Sequence, residues 1–177
     1  GNWTAKNKFT PVTEDFAATQ FEMLIDFLEK NDFEQYEISN FSLSDFHARH
    51  NSNYWKQQPY LGVGPSAHSY NGFSRQWNVA HNQQYIKSIT EKIIPATIEI
   101  LSENDRINEY VMTGLRTKWG INVEEISQFS NLNFLEKNIE IVEKYKNQGL
   151  LTISENNLIL TKKGKLLADR IASDLFM

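Results

Sequence analysis

The sequence contains no cysteine, and this absence excludes several kinds of chemistry. Thiolate metal ligation, a thiol nucleophile and an iron–sulfur cluster held by cysteine all require a residue that is missing. No apolar run approaches the roughly 20 residues of a membrane span, and no charged-then-apolar signal peptide opens the chain. The formal net charge of -4 disfavours general attraction to phosphate backbones. We therefore expect a cytoplasmic protein with no membrane span and no nucleic-acid partner.

The residues that are present can form a core, because 40% of the 177 residues are hydrophobic and 12% are aromatic. Residues 13–31 are predicted to be a helix, with Thr13 as N-cap and apolar residues at helical spacing. Tyr36 and Ile38 then alternate with polar residues as in a short strand. A helix followed by a strand is half of an α/β unit, and such a half unit is expected at the cut edge of a larger barrel.

Residues 40–80 are rich in aromatic side chains and turn residues. Strands are predicted near 60–63, 67–70 and 74–77, and Asn71-Gly72 indicates a hairpin between the last two. Residues 83–89 read as a short helix. The G-x-G of Gly62 and Gly64 is a weak nucleotide signal, because no long helix follows it. Alternate glycines more simply allow close approach of a neighbouring strand or of a ligand.

From Ser102 onward the sequence predicts three helices, a β-hairpin and a closing helix, which is the order of a winged-helix domain. Ser102 and Asp105 have capping-box spacing, and Gly120 is the predicted end of the first helix. A winged helix suggests DNA binding, but residues 121–177 carry seven basic and eight acidic side chains, a net charge of -1. A structural or lid role is favoured over a nucleic-acid interaction module.

The histidine pair His47 and His50 precedes Tyr54 and Trp55. Two histidines three residues apart suggest zinc, but no third ligand is spaced to complete the site. One histidine beside aromatic rings suits haem better, because a single imidazole can ligate the iron while the rings cover the porphyrin. These residues alone favour a structural alternative, in which His50 and Asn51 hydrogen-bond a loop while Tyr54 and Trp55 fill the core.

Three successive segments resemble motifs of the HemW-like proteins, the haem-chaperone branch of the oxygen-independent coproporphyrinogen III oxidase family. They are Tyr36-Glu37-Ile38-Ser39-Asn40-Phe41, His50-Asn51-x-x-Tyr54-Trp55 and Tyr60-Leu61-Gly62-x-Gly64-Pro65-x-Ala67-His68-Ser69-Tyr70. Gly114-Leu115-Arg116 with Gly120, and Leu160-Thr161-x-x-Gly164, resemble the family's C-terminal domain. The resemblance covers nearly the whole chain in the expected order.

The resemblance implies an α+β fold, in which residues 1–101 are the end of a partial (β/α) radical SAM barrel and residues 102–177 are a winged-helix-like C-terminal domain. The intact parent would hold S-adenosylmethionine and a 4Fe–4S cluster, whose cysteine motif is absent here. This chain should therefore not perform radical chemistry alone.

The resemblance also implies site residues and partners. Haem-binding residues would be His50, Asn51, Tyr54 and Trp55, with His50 ligating the haem iron, and Ser42 and Leu115 match positions that touch S-adenosylmethionine. No catalytic residue is assigned. The expected function is haem binding and transfer to acceptor proteins. The alternatives are a fragment of a coproporphyrinogen III oxidase of porphyrin biosynthesis, with another tetrapyrrole as ligand, and a non-catalytic winged-helix module.

Overall fold

The computed structural model describes residues 10–177, which divide into a first unit up to His47 and a second unit from Ala48 to Met177. The described residues combine helices with small antiparallel sheets, which confirms the α+β class. None of the helices in this part of the chain is long and apolar enough to cross a bilayer.

The described residues of the first unit, 10–47, form a helix and a β-hairpin. Helix α1 (Glu14–Glu29) begins where predicted, since the Thr13 hydroxyl accepts the Phe16 N–H at 3.3 Å, and it buries Ile25. Strands β1 (Phe33–Glu37) and β2 (Asn40–Leu43) pair antiparallel.

The predicted end of a (β/α) barrel is not seen in residues 10–177, because the strands pair antiparallel in small sheets. In the first unit, the reason is the short link between β1 and β2. The Glu37 carboxylate accepts the Ser39 N–H at 2.9 Å and the Asn40 side-chain amide, so the chain turns back at once. Parallel neighbours would need a much longer crossover connection.

The second unit begins with α2 (Arg49–Trp55), followed by a sheet with the order β3-β4-β5. The elements are β3 (His68–Tyr70), β4 (Ser74–Asn78), α3 (Asn82–Thr90) and β5 (Ala96–Ile100). The predicted hairpin is confirmed: the Asn71 side-chain oxygen accepts the N–H groups of Phe73 and Ser74, and Gly72 has φ +93°. The predicted strand over 60–63 is reduced to one bridge between Tyr60 and Tyr70.

The rest of the second unit has the predicted order of three helices, a hairpin and a closing helical segment. Its elements are α4 (Glu103–Gly114), β6 (Ile121–Asn122), α5 (Val123–Phe129), α6 (Phe134–Asn147), β7 (Leu151–Ser154), β8 (Asn157–Leu160), α7 (Lys162–Lys165) and α8 (Ala168–Asp174). The short strand β6 joins the hairpin in a sheet of order β6-β8-β7. Ile107, Val111, Ile126 and Ile171 are fully buried in the core.

Helix α4 starts as predicted and ends earlier than predicted. The Ser102 hydroxyl accepts the Asp105 N–H at 3.1 Å, and the Asp105 carboxylate accepts the Ser102 N–H at 3.0 Å, completing the capping box. The helix stops at Gly114 rather than before Gly120, because the N–H and the hydroxyl of Thr117 both donate to the Gly114 carbonyl. Such local side-chain bonding competes with helix continuation.

Candidate functional site

Helix α2 carries all four predicted haem-binding residues, His50, Asn51, Tyr54 and Trp55. His50 and Tyr54 are four residues apart and share one face of the helix, with ring centroids 4.8 Å apart in an edge-to-face arrangement. The His50 side chain is exposed, and Asn51 is half-buried. The imidazole therefore stands at the surface with one aromatic ring beside it.

A row of rings continues from His50 into the sheet, and we call His50, Tyr54, Tyr60 and Tyr70 the aromatic row. The centroids of Tyr54 and Tyr60 are 4.7 Å apart, and those of Tyr60 and Tyr70 are 6.3 Å apart. The backbones of Tyr60 and Tyr70 exchange two hydrogen bonds of 2.9 Å. Burial raises the pKa of both phenols above its ordinary value, so their hydroxyls stay protonated at neutral pH and can donate.

The Trp55 side chain contains a buried polar atom. Its indole Nε1 is shielded from solvent and has no hydrogen-bond partner among the described residues. The Arg116 guanidinium lies 5.7 Å from the centre of the indole ring. An indole nitrogen can only donate, so an acceptor must come from outside the described residues to satisfy it.

A cavity of about 250 Å³ lies between α2, the sheet and α4, and we call it the Arg75 cavity. Tyr54, Trp55 and Tyr60 supply aromatic wall, and Arg75 and Glu109 supply charge. The Arg75 guanidinium forms an ion pair with the Glu109 carboxylate. Burial raises the pKa of Glu109, although the Arg75 charge opposes this shift.

The two glycines of the G-x-G segment have different structural roles. A Cβ on Gly62 would lie 2.0 Å from the carbonyl oxygen of His68, and the Gly62 N–H donates to the Ser69 hydroxyl at 2.9 Å. Gly64 has φ +110°, a conformation that side-chain-bearing residues rarely adopt. Close approach to a neighbouring strand therefore accounts for Gly62, and backbone conformation accounts for Gly64.

The two positions predicted to touch S-adenosylmethionine lie in different units. Ser42 is in β2 of the first unit, where its hydroxyl is buried and has no partner among the described residues. Leu115 follows α4 in the second unit, and its side chain is fully buried. Leu115 therefore packs in the core, and its backbone N–H donates to the Val111 carbonyl at 3.1 Å.

His47 differs from His50 in its surroundings. The His47 Nε2 lies 3.0 Å from a Glu34 carboxylate oxygen, and its ring packs against Tyr36 with centroids 4.8 Å apart. Within residues 10–177, no group of three or more His, Asp or Glu side chains is arranged to hold a metal ion.

Reasoning from the sequence missed Tyr60, Tyr70, Arg75 and Glu109 as members of the site. The hairpin signal at Asn71-Gly72 pairs Tyr70 with Arg75 directly, so part of this set was accessible from the sequence. Glu109 reaches the cavity only through packing of α4, which no local pattern reveals.

Comparisons with known proteins identify similar sequences and a similar structure. Residues 101–167 match the family described as the HemN C-terminal domain. The haem chaperone HemW of Lactococcus lactis is 34% identical over 160 residues, covering 90% of this chain and 42% of that protein. HemW of Bacillus subtilis is 30% identical over 172 residues, covering 96% of this chain and 45% of that protein.

A solved structure also resembles the chain. The coproporphyrinogen III oxidase HemN of Escherichia coli, described as a radical SAM enzyme, matches with a TM-score of 0.66 at 19% identity, over 88% of this chain and 40% of that one. At this identity the likeness concerns the fold. The chain spans less than half the length of these relatives.

Proposed function

Because the chain belongs to the HemW- and HemN-like radical SAM family, we propose that it is the haem-binding part of a haem chaperone and that His50 is the axial ligand of the haem iron. The observation that carries this proposal is the exposed imidazole of His50. Its ring centroid lies 4.8 Å from that of Tyr54, in an edge-to-face arrangement. A neutral imidazole is a common iron ligand, and aromatic rings cover porphyrin faces well.

The residues fit a haem held at the surface. The Arg75 cavity, at about 250 Å³, is smaller than the roughly 300–1,000 Å³ of sites that enclose a ligand, so the macrocycle would lie outside it against α2. Tyr54 is also substantially exposed and offers apolar contact next to His50. A haem bound in this way is accessible from outside, which suits transfer to an acceptor protein.

The finer structural assignments belong to the same proposal. Residues 1–101 would complete the end of a radical SAM barrel only within the longer protein, since no barrel is seen in residues 10–177. Residues 102–177 would be a winged-helix-like domain that closes the site. The sheet β6-β8-β7 with its surrounding helices supports the second assignment. In the longer protein, Ser42 and Leu115 would be candidate contacts of S-adenosylmethionine, and that cofactor and the cluster would supply the radical chemistry.

Titration with haem tests the ligand assignment. We expect the chain to produce a shifted Soret band at one equivalent of haem and His50→Ala to lose that band. His81→Asn is the matched control: it removes an exposed imidazole from the same unit while keeping a residue that caps α3, a role that the His81 ring nitrogen now fills. A Soret band that persists in His50→Ala, or that His81→Asn removes equally, would overturn the assignment.

A further inference from the structure

We propose that the Arg75 cavity binds a carboxylate substituent of the tetrapyrrole, with Arg75 as its cationic partner. This inference rests on the proposed function, since it names the part of the ligand that His50 does not contact. The site would therefore have two points of attachment: the iron at His50 and an anionic side arm in the cavity.

The cavity wall contains a cationic hydrogen-bond donor, the Arg75 guanidinium. Arginine presents five N–H donors in a planar fork that suits a carboxylate, and Glu109 occupies only part of this fork. The Arg75 side chain remains 43% exposed, so the guanidinium is accessible to a second anion. Tyr60 also lines the cavity, and its phenol, whose pKa is raised by burial, is protonated at neutral pH. The only carboxylate among the lining residues, Glu109, is already neutralised by its ion pair.

The indole N–H of Trp55 lacks a hydrogen-bond acceptor among the described residues. Trp55 lines the cavity, and its buried Nε1 has no partner among residues 10–177. Leaving a buried donor unsatisfied is unfavourable, so binding of an acceptor group at the Trp55 indole nitrogen would be favourable.

The size of the cavity selects a substituent over a whole macrocycle. A volume of about 250 Å³ accommodates a short carboxylate chain and falls below the range of sites that enclose a drug-sized ligand. Tyr54 belongs both to the cavity wall and to the ring contact with His50. One aromatic ring thus separates the iron ligand from the cavity, which allows a single ligand to reach both.

Esterified haem tests the inference. Haem and haem dimethyl ester share the iron and macrocycle, but the ester has no free carboxylate. We expect the wild-type chain to bind the ester about tenfold more weakly than haem, the loss typical of a hydrogen bond to a charged group. Arg75→Gln should weaken haem binding by a similar factor and leave ester binding unchanged.

Two further variants distinguish a loss of carboxylate binding from a loss of folding. Tyr60→Phe removes only a hydroxyl and should weaken haem binding more than ester binding. Arg170→Gln is the control: it also removes an arginine ion-paired to a carboxylate, but Arg170 does not line the cavity. It should leave both affinities unchanged. Equal affinity of the wild type for acid and ester, or equal weakening of both by Arg75→Gln, would overturn the inference.

Metal-free protoporphyrin IX separates this inference from the iron-ligand assignment, because it has the carboxylates without the iron. Its binding, followed by quenching of tryptophan fluorescence, should be weakened by Arg75→Gln both in the wild type and in the His50→Ala background. If His50→Ala leaves the haem Soret band intact but Arg75→Gln still weakens the binding of protoporphyrin IX, the assignment of His50 as iron ligand fails. The assignment of the Arg75 cavity to a carboxylate is then retained. If protoporphyrin IX binds wild type and Arg75→Gln equally, the cavity assignment fails even where His50 holds.

Discussion

The substitution Gly62→Ala is expected to destabilise the second unit through one close backbone contact. The added Cβ would lie 2.0 Å from the His68 carbonyl oxygen, whereas ordinary contact begins near 3.4 Å. A backbone oxygen cannot rotate away as a side chain can, so the segment around Gly62 must move. The movement strains the Gly62–Ser69 hydrogen bond and the two backbone bonds between Tyr60 and Tyr70.

The expected cost of Gly62→Ala follows from these contacts. Overpacking costs about 1–3 kcal/mol, and each weakened hydrogen bond contributes about 0.5–1.5 kcal/mol. Because the segment can relax in part, we expect a total of about 2–4 kcal/mol. For a protein of this size, that corresponds to a fall in melting temperature of about 5–15 °C. The displacement of Tyr60 should also weaken haem binding.

Thermal unfolding followed by circular dichroism measures this effect. Gly149→Asn is the control, since Gly149 has φ +69° with open space around its Cα, and Asn tolerates that conformation at the end of a helix. We expect this control to unfold close to the wild type. A Gly62→Ala protein as stable as the wild type would refute the close-contact explanation of the G-x-G segment.

Three further substitutions test the second unit. Hydrogen bonds from Ser102 lower the pKa of Asp105 below its ordinary value of 3.8. The capping box therefore adds stability above pH 3.8, and this stability is lost as the pH falls through the lowered pKa. In urea unfolding, the stability advantage of the wild type over Ser102→Ala should shrink below about pH 3.8. Leu115→Ala should cost about 2–5 kcal/mol in the same assay without any ligand, because the side chain is fully buried; an unchanged midpoint would contradict its core position. Tyr110→Phe should cost about 1–3 kcal/mol, since the hydroxyl donates to Glu125 at 2.6 Å and accepts the Asn122 N–H at 3.0 Å; equal stability would show that these bonds add nothing.

Local signals in the sequence were sufficient to predict those parts of the fold that a few neighbouring residues determine. Thr13 and Ser102 cap their helices, and Asn71-Gly72 forms its turn, because each interaction spans only three or four residues. Strand β5 was missed because it is an edge strand whose identity depends on pairing with β4. The end of α4 was misplaced because Thr117 competes for the Gly114 carbonyl.

The candidate site was predictable only in part for the same reason. His50 and Tyr54 lie within one helical turn, so their proximity follows from the sequence. Arg75 and Glu109 are 34 residues apart and meet through packing of the sheet against α4. The buried, unpartnered nitrogen of Trp55 has no signal in the sequence at all.

The most direct test of haem ligation by His50 is chemical rescue. In His50→Gly the ligand position opens at an exposed site, so imidazole added from solution can take the place of the missing side chain. We expect His50→Gly to lose the Soret spectrum of the histidine-ligated complex and to regain it with added imidazole, whereas His81→Asn should need no rescue. A variant that retains the wild-type spectrum without imidazole would contradict ligation through His50.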